Sequence, residues 1–559
     1  MDQARLIIAI ALSFLVFLIW ELLPGNKSPI QPQKEVEKTY LPRSVPEDSR
    51  KGVSQGARSE HRGAEKIPGD IVASGPPEPA RIITVSTPLY TVEISEKGAV
   101  FRSFVLKDYR ETMAADAPFL EMIDPEIDTG ILQLDFADKS VRGLPGAVFL
   151  ADRPTDIIVA KGGVEPVSFF WMSPEGVRIE KTFFFDPSSY LIELRVTVRN
   201  GSSQSIRDHL MVSLKKRFEQ EGRRFGFEGP SALINNSREN VDLDDIADKN
   251  SYTGSLQWMT VQDRYFMISI IPETPVAATM HLSYPEETHL LTSQYIAPEM
   301  VVQPGTEEVF SYQLFLGPKD TSILETLGFD LKKAVYFGWF DPIAKPCVWV
   351  MNLFYSIIPN YGVAIILLTL LSKILLWPLG VKSYKSMAEM KKVQPLMADL
   401  REKYKDDKQK MNQEVMALYR TYKVNPLGGC LPMLVQMPLF FALYRMLYEA
   451  IELRHAPFFG WIKDLSAPER LELFPISYIP VMEPPYGIPV LTIIMGATMF
   501  LSQKMQPPMG DPAQAKMMMF MPVIFTVFFI NFSSGLVLYW LVNNVLSIAQ
   551  QQYVTKKLA

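Results

Sequence analysis

A lysine inside an otherwise apolar run is the residue of this sequence best placed to do chemistry. Lys373 lies within the run from Gly362 to Pro378, which has the character of a membrane-spanning helix. A lysine at the centre of a bilayer costs about 2.5–3.5 kcal/mol, so it usually faces a protein interior or a wet cavity. Thr369 and Trp377 lie four residues to either side and share its helical face, which Ser372 flanks.

Two interpretations of Lys373 remain open. Its ammonium could line a water-filled cavity, or it could extend to the lipid headgroups, because Pro378 ends the run only five residues later. Asp and Glu are absent from the interiors of the other core spans. An ammonium at that depth therefore needs water, or an anion of a lipid or a substrate.

Other apolar runs also carry polar residues. Gln436 lies between Pro432 and Pro438, which predict a kink or locally freed backbone groups. The last run contains Tyr539, Trp540, Asn543, Asn544, Ser547 and Gln550, of which Tyr539, Asn543 and Ser547 share one helical face. These side chains could line the same cavity as Lys373, or they could hydrogen-bond neighbouring helices together.

A basic segment, residues 382–426, separates the first two core spans. Its pattern predicts a hairpin of two amphipathic helices, Ser383–Tyr404 and Asp407–Tyr422. The charged residues that could dock a partner are Lys391, Lys392, Arg401, Lys403, Lys405, Asp406, Asp407 and Lys408. The alternative is a solvated charged face near anionic lipid.

Six apolar runs predict a polytopic α-helical membrane protein with six spans, five of them forming a core. Residues 1–25 predict an uncleaved signal anchor, because Trp20, Glu21 and Pro24 occupy the place of a small-residue cleavage site. The core spans are Tyr361–Pro378 (in a domain at 350–381) and, within residues 427–555, Leu427–Tyr448, Ile488–Phe500 with its flanks, Met517–Phe532 and Gly535–Tyr553. The distribution of Lys and Arg in short loops places both termini in the cytoplasm.

The chain between the anchor and the core predicts a linker and a β-domain. Residues 26–80 are rich in Pro, Ser, Gly and charge, which predicts disorder. Within residues 81–320, the alternation over Tyr190–Val198 and the turn at Asn200-Gly201 are typical of a large antiparallel β-sandwich. Similar strands are predicted at Ile82–Ile94, Val177–Phe185, Tyr265–Ile271 and Val309–Leu316. Residues 330–349 predict an amphipathic helix in the membrane interface, or a plain linker helix.

Several function classes lack any signal. A net charge of -5 argues neither for nor against nucleic acid. The two cysteines, Cys347 and Cys430, form no metal-binding or disulfide pattern. No GxxxxGK[ST], HExxH or GxSxG motif is present, so the sequence predicts no cofactor, no nucleotide site and no enzyme.

The core resembles the YidC/Oxa family of membrane protein insertases in its Gram-negative form. The matching text is Asp406–Gln409, Lys423–Cys430, Gln436–Phe440, Phe520–Phe529 and Ser534–Tyr539. The resemblance implies a hydrophilic groove among five helices, open to cytoplasm and lipid and closed toward the periplasm. It places Thr369, Gln436 and Tyr539 in that groove. The family's groove arginine falls on Lys373, which keeps the charge but lacks the planar fork.

The resemblance also implies a function and partners. The β-domain would be periplasmic, with a sugar-mutarotase-like shape and no catalysis. The protein would insert and help fold nascent inner-membrane proteins, with the Sec translocon, the ribosome and the signal-recognition targeting machinery as partners. Two alternative functions stay open at this point. The protein could be a small-solute transporter with Lys373 as counter-ion, or a membrane-anchored periplasmic protein that binds or modifies sugar.

Overall fold

The computed structural model describes residues 80–114, 116–218, 226–422, 424, 431–472, 482–484, 486–506 and 512–558. The predicted signal anchor and all but the last residue of the predicted linker lie outside the described residues. Two regions follow one another in the chain: a β-domain between residues 82 and 318, and a helical region from residue 321 onwards.

The β-domain is built from two sheets. A small sheet has the strand order β4-β3-β2-β1-β7, and a large one has the order β5-β11-β17-β16-β14-β15-β18-β10-β9-β8-β6, with the β12–β13 hairpin attached to β14. The strands are β1 Ile82–Ser86, β2 Tyr90–Ser95, β3 Val100–Arg110, β4 Phe119–Glu121, β5 Gln133–Phe136, β6 Leu150–Ala151, β7 Ile157–Val159, β8 Glu165–Met172, β9 Val177–Phe185, β10 Leu191–Asn200, β11 Ile206–Arg217, β12 Gly229–Ile234, β13 Ser237–Asn240, β14 Ser251–Gln262, β15 Phe266–Pro272, β16 Val276–Ser283, β17 Leu290–Val302 and β18 Glu307–Pro318.

Alternation of side chains explains why the central strands form. In β10, Ile192, Leu194 and Val196 are fully buried, whereas Arg195 is exposed. β10 pairs antiparallel with β9 on one side and β18 on the other, so its apolar face contributes to a continuous core. The strand predicted over Tyr190–Val198 is present with bounds shifted by one or two residues.

The single strand predicted over Ile82–Ile94 is wrong. The chain turns between β1 and β2, where the Thr87 hydroxyl accepts hydrogen bonds from the backbone N–H groups of Leu89, at 3.2 Å, and Tyr90, at 3.0 Å. This local turn, which includes Pro88, reverses the chain so that β1 and β2 pair antiparallel.

The helical region carries eight α-helices within the described residues. They are α1 Thr321–Leu327, α2 Asp341–Ile357, α3 Tyr361–Lys403, α4 Lys408–Thr421, α5 Leu431–Glu449, α6 Val490–Met505, α7 Pro512–Phe528 and α8 Ser534–Leu558. Short 3₁₀ segments occur at Leu144–Gly146, Leu243–Ala247, Leu331–Ala334, Gly338–Phe340, Ile451–Leu453 and Phe529–Asn531.

Helix α3 differs most from its prediction. The first core span was expected to end at Pro378 and a separate hairpin helix to begin at Ser383, but one helix of 43 residues runs through both Pro378 and Pro395. An interior proline removes one backbone donor, and a long helix can tolerate that loss where neighbouring groups compensate. At 1.5 Å per residue the helix is about 65 Å long, roughly twice a bilayer core. The first helix of the basic hairpin is therefore the continuation of the span.

By length and composition, α3 is the one helix among the described residues that could cross a membrane. Val490–Met505 and Met518–Asn531 are shorter apolar helices. Close packing joins these elements: a Cβ on Gly380 of α3 would lie 2.6 Å from the Gln550 amide of α8, and one on Gly496 of α6 would lie 2.0 Å from the Thr526 hydroxyl of α7. At Gly496 the short Thr526 side chain leaves no room for a larger residue, whereas at Gly380 a larger residue would displace the Gln550 amide.

The helix predicted over residues 330–349 begins later, at Asp341, and extends to Ile357. Gly338 has a positive φ of 72°, and the Asp341 carboxylate accepts a hydrogen bond from the Phe337 N–H at 3.1 Å, so the chain turns before α2 starts. Trp349, Leu353 and Ile357 of α2 are exposed at four-residue spacing. An exposed apolar stripe is typical of a helix in the membrane interface, so that position stays a prediction for α2.

Candidate functional site

Lys373 lies against α8. Its ammonium donates to the Ser547 hydroxyl at 2.7 Å, and that hydroxyl donates to the Asn543 carbonyl at 2.6 Å. The lysine is half-buried, and among the described residues no carboxylate lies within ion-pair distance of it. The ammonium is therefore directed toward a neighbouring helix and meets a neutral partner.

A second set of contacts brings α5 to the same face of α8. The Gln436 amide donates to the Asn543 side-chain oxygen at 3.0 Å. Gln436 also forms a side-chain hydrogen bond with Tyr539, which is buried. Three predicted groove residues thus meet, and Asn543 joins them to Lys373 through Ser547.

The polar contacts continue along α8 beyond Lys373. The Tyr384 hydroxyl donates to the Ser547 carbonyl at 3.3 Å, and the Gln550 amide donates to the Trp377 carbonyl, next to Pro378, at 3.1 Å. We call the set Lys373, Tyr384, Gln436, Tyr539, Asn543, Ser547 and Gln550 the polar ladder. Sequence reasoning missed Tyr384, although residues eleven apart share a face of an unbroken helix.

Three predicted groove residues do not join the polar ladder. Thr369 is buried, and its hydroxyl donates to the Ile365 carbonyl of its own helix at 2.6 Å. The Ser372 hydroxyl donates to the Thr369 carbonyl at 2.7 Å. Hydroxyls bonded in this way satisfy their own helix. The Trp540 ring packs on Phe440, with centroids 4.6 Å apart.

Trp540 belongs to an aromatic cluster at one end of the bundle. The cluster consists of Phe440, Tyr444, Phe525, Phe528, Phe529, Phe532, Tyr539 and Trp540. These rings lie in the second half of α5, at the end of α7 and at the start of α8, and Arg264 of the β-domain contacts Tyr448 at the end of α5. The polar ladder shares Tyr539 with this cluster and continues along α8 through Asn543, Ser547 and Gln550.

The basic hairpin has a small apolar core of its own. Val393, Met397 and Val424 are buried there, with Tyr419 packed against them. Arg401 is half-buried, and the Asp407 carboxylate caps α4 by accepting from the Lys410 N–H at 3.0 Å. The other predicted docking residues whose side chains are described are exposed: Lys391, Lys392, Lys403, Lys405, Asp406 and Asp407. The Lys408 side chain lies outside the described residues.

The outer surface of the helices is apolar. Leu375 of α3 is 72% exposed and Phe520 of α7 is 65% exposed. Among the described residues, no group of three His, Cys, Asp or Glu side chains could hold a metal ion. A helical bundle with apolar side chains outside and a polar ladder within, attached to a large β-domain, is the arrangement of a membrane protein with an extramembrane domain.

Comparison with known proteins shows to which family of membrane proteins the chain is similar. The family profile described as "60Kd inner membrane protein" matches residues 353–559, and that described as "YidC periplasmic domain" matches residues 82–350. The "Membrane protein insertase YidC" of Syntrophus aciditrophicus is 39% identical, with all of both chains covered. That of Syntrophobacter fumaroxidans is also 39% identical, with 99% of this chain and 100% of its own covered. A solved active YidC insertase is 17% identical with a TM-score of 0.36, covering 84% of this chain and 94% of its own.

The chain belongs to the YidC family of membrane protein insertases, which confirms the resemblance seen in the sequence. It is an inner-membrane protein with a periplasmic β-domain, and it acts on nascent membrane proteins. Family membership selects insertion over the transporter and sugar-binding functions that the sequence had left open.

Proposed function

We propose that the polar ladder lines a hydrophilic groove, open to cytoplasm and lipid, in which polar segments of substrates reside during insertion. The observation that carries this proposal is the contact between Lys373 and Ser547 at 2.7 Å. A half-buried ammonium whose described protein partner is one neutral hydroxyl retains donors for water or for an anion.

The mechanism is physical. A hydrophilic segment that crosses hydrocarbon leaves polar groups without partners, at a cost of several kcal/mol each. The amides of Gln436 and Asn543 supply temporary partners, and Lys373 attracts acidic residues. The apolar helix of the substrate then moves into lipid, and its burial, at about 25 cal/mol per Å², drives the step. No covalent step, cofactor or nucleotide is required, so the protein is not an enzyme in this account.

The proposed topology has six spans with both termini in the cytoplasm. Residues 1–25 anchor the chain, and α3, α5, α6, α7 and α8 form the five core spans. The apolar surfaces of α3 and α7 support this assignment. The exposed stripe of α2 would lie in the periplasmic interface of the membrane.

The basic hairpin is the proposed docking site for the targeting machinery, the ribosome and the Sec translocon. Its exposed lysines are joined by the exposed apolar residues Leu396, Met416 and Tyr422. We expect Lys391→Glu combined with Lys392→Glu to slow insertion of ribosome-bound substrates severalfold and to spare released ones. Lys556→Glu with Lys557→Glu is the matched control, because it makes the same charge change at the C-terminus. Equal insertion rates in all three proteins would contradict the docking role.

The proposed function is tested by reconstitution of the full chain alone. Liposomes would receive the purified protein and a single-span substrate with a short polar tail, without nucleotide. We expect the tail to become protected from external protease only in liposomes that contain the protein. Protection that required nucleotide, or that was equal in empty liposomes, would overturn the mechanism.

A further inference from the structure

One connecting segment holds the ends of several core helices. Residues 456–471, between α5 and α6, form what we call the clasp segment. The Ala467 carbonyl accepts from the Ser534 N–H at 2.8 Å, and the Leu465 carbonyl accepts from the Gly535 N–H at 2.9 Å. The Ser534 hydroxyl donates to the Asp464 carbonyl at 2.6 Å. The first turn of α8 is thus attached to the clasp segment.

Glu469 attaches the start of α6. One oxygen of its carboxylate accepts from the Trp461 indole N–H at 2.8 Å, and the other accepts from the Thr492 N–H at 3.2 Å. Thr492 lies in the first turn of α6, where backbone N–H groups lack partners within the helix. A carboxylate there also matches the positive end of the helix dipole. Glu469 is only 4% exposed.

Arg470 attaches the end of α7. Its guanidinium donates to the Ile530 carbonyl at 2.9 Å and to the Asn531 side-chain oxygen at 3.2 Å, in the 3₁₀ turn that follows α7. A cation suits the negative end of a helix dipole. Arg470 is 8% exposed. Two adjacent residues of opposite charge therefore bind the start of one helix and the end of the next.

The β-domain contacts the same place. The guanidinium of Arg264, in the turn between β14 and β15, donates to the Tyr448 carbonyl at 2.7 Å and lies 3.7 Å from the Tyr448 ring centroid. It also donates to the Ser466 carbonyl, at 3.5 Å. The clasp segment therefore lies between the β-domain and the aromatic cluster.

We propose that Glu469 and Arg470 are positioning residues that close the helical core on the periplasmic side, so that the polar ladder opens only toward the cytoplasm. This inference rests on the proposed groove. Both charges are withdrawn from water, which is costly, and their geometry recovers that cost by satisfying two helix ends at once. An apolar pair would pack but could not cap those ends.

The test is the sidedness of thiol labelling in membrane vesicles of defined orientation. Cys347 and Cys430 would be replaced by serine, and Asn543→Cys would report on the groove through a membrane-impermeant maleimide. When the clasp segment is unchanged, we expect the cysteine at position 543 to be labelled from the cytoplasmic side, with only background labelling from the periplasmic side. Glu469→Gln or Arg470→Gln should raise periplasmic labelling by about tenfold, because a lost charged hydrogen bond shifts the closed–open equilibrium.

Matched controls come from the same segment and its edge. Glu472→Gln and Lys463→Gln remove the same charges from exposed side chains and should leave the labelling unchanged. Arg470→Lys keeps the cation without the fork and should label between the parent and Arg470→Gln.

The outcomes separate the two proposals. If the parent reporter is not labelled from the cytoplasmic side, the proposed groove fails. If it is labelled there but the Gln variants gain no periplasmic labelling, the role of the pair is overturned. Should the Gln variants not accumulate in the membrane, Arg470→Lys and Glu469→Asp decide by the same assay: labelling above the parent supports closure, and labelling equal to it refutes closure.

Discussion

The β-domain and the helical core each contain a buried or half-buried lysine, and they treat it differently. Lys181 of β9 is fully buried, and its ammonium donates to the carbonyls of Gly98 at 3.2 Å, Leu132 at 2.8 Å and Ala99. Lys373 is half-buried and donates to a single hydroxyl. An ammonium has three donors, so Lys181 is saturated by protein and Lys373 is not.

The difference teaches how to separate a structural charge from a functional one. Lys181 joins β9 to the segments at residues 98–99 and 132, and nothing can replace those partners without unfolding the domain. The neutral partner of Lys373 can be exchanged for a carboxylate at low cost. The surroundings of the two lysines also differ, since Lys181 packs among the buried apolar side chains of the β-domain, whereas α3 exposes large apolar side chains near Lys373, among them Ile374 and Leu375.

The largest effect is expected from Lys181→Met. At pH 10, where little of the cost of burying this residue's charge remains, the substitution removes the donor from the carbonyls of Gly98, Ala99 and Leu132 and should lower the free energy of unfolding by about 3 kcal/mol. Thermal unfolding of the full chain in detergent, followed by the β-sheet circular dichroism signal, measures this. Lys161→Met removes an exposed lysine and should change little. An equal loss of stability in both variants would contradict the structural role given to Lys181.

The pH dependence of stability sharpens the same contrast. Burial lowers the pKa of Lys181 to about 7, from 10.5. Between these pKa values the unfolded chain binds a proton that the folded chain lacks, so stability should rise as pH increases above 7. The expected slope is about 1.4 kcal/mol per pH unit, and Lys181→Met should lose it. A flat profile in the parent would show that Lys181 keeps its charge in the fold.

A smaller effect is expected from Ser547→Ala. The substitution removes one hydrogen bond made by the Lys373 ammonium, which is worth about 1.5 kcal/mol because the donor is charged. Insertion of substrates with acidic tails should therefore become faster by up to about tenfold. Asn544→Ala, on the same helix, is the control, because its amide contacts Thr498 instead of the lysine. A loss of insertion in Ser547→Ala would mean that the hydroxyl contacts the substrate itself.

Local patterns in the sequence predict helices and strands better than they predict the contacts between them. The alternation in β10 identifies a strand because one face is buried. Pro378 predicts the end of a helix, but α3 continues through it. The packed helix tolerates the loss of one backbone N–H donor at this proline. The contact between Lys373 and Ser547 spans 174 residues, so no local pattern reveals it. Glu469 and Arg470 lie in an irregular connection, where no periodicity marks a residue as buried.

The central claim is that Lys373 receives the acidic part of the substrate. Insertion assays that combine either charge at position 373 with an acidic or a basic substrate tail test it most directly. The full chain, Lys373→Arg and Lys373→Glu would be reconstituted in liposomes with two single-span substrates that differ only in an acidic or a basic translocated tail. The account predicts that the parent and Lys373→Arg prefer the acidic tail and that Lys373→Glu prefers the basic one, with about a tenfold change in ratio. If Lys373→Glu inserted the acidic tail as well as the parent does, Lys373 would not receive the substrate and the account would be wrong.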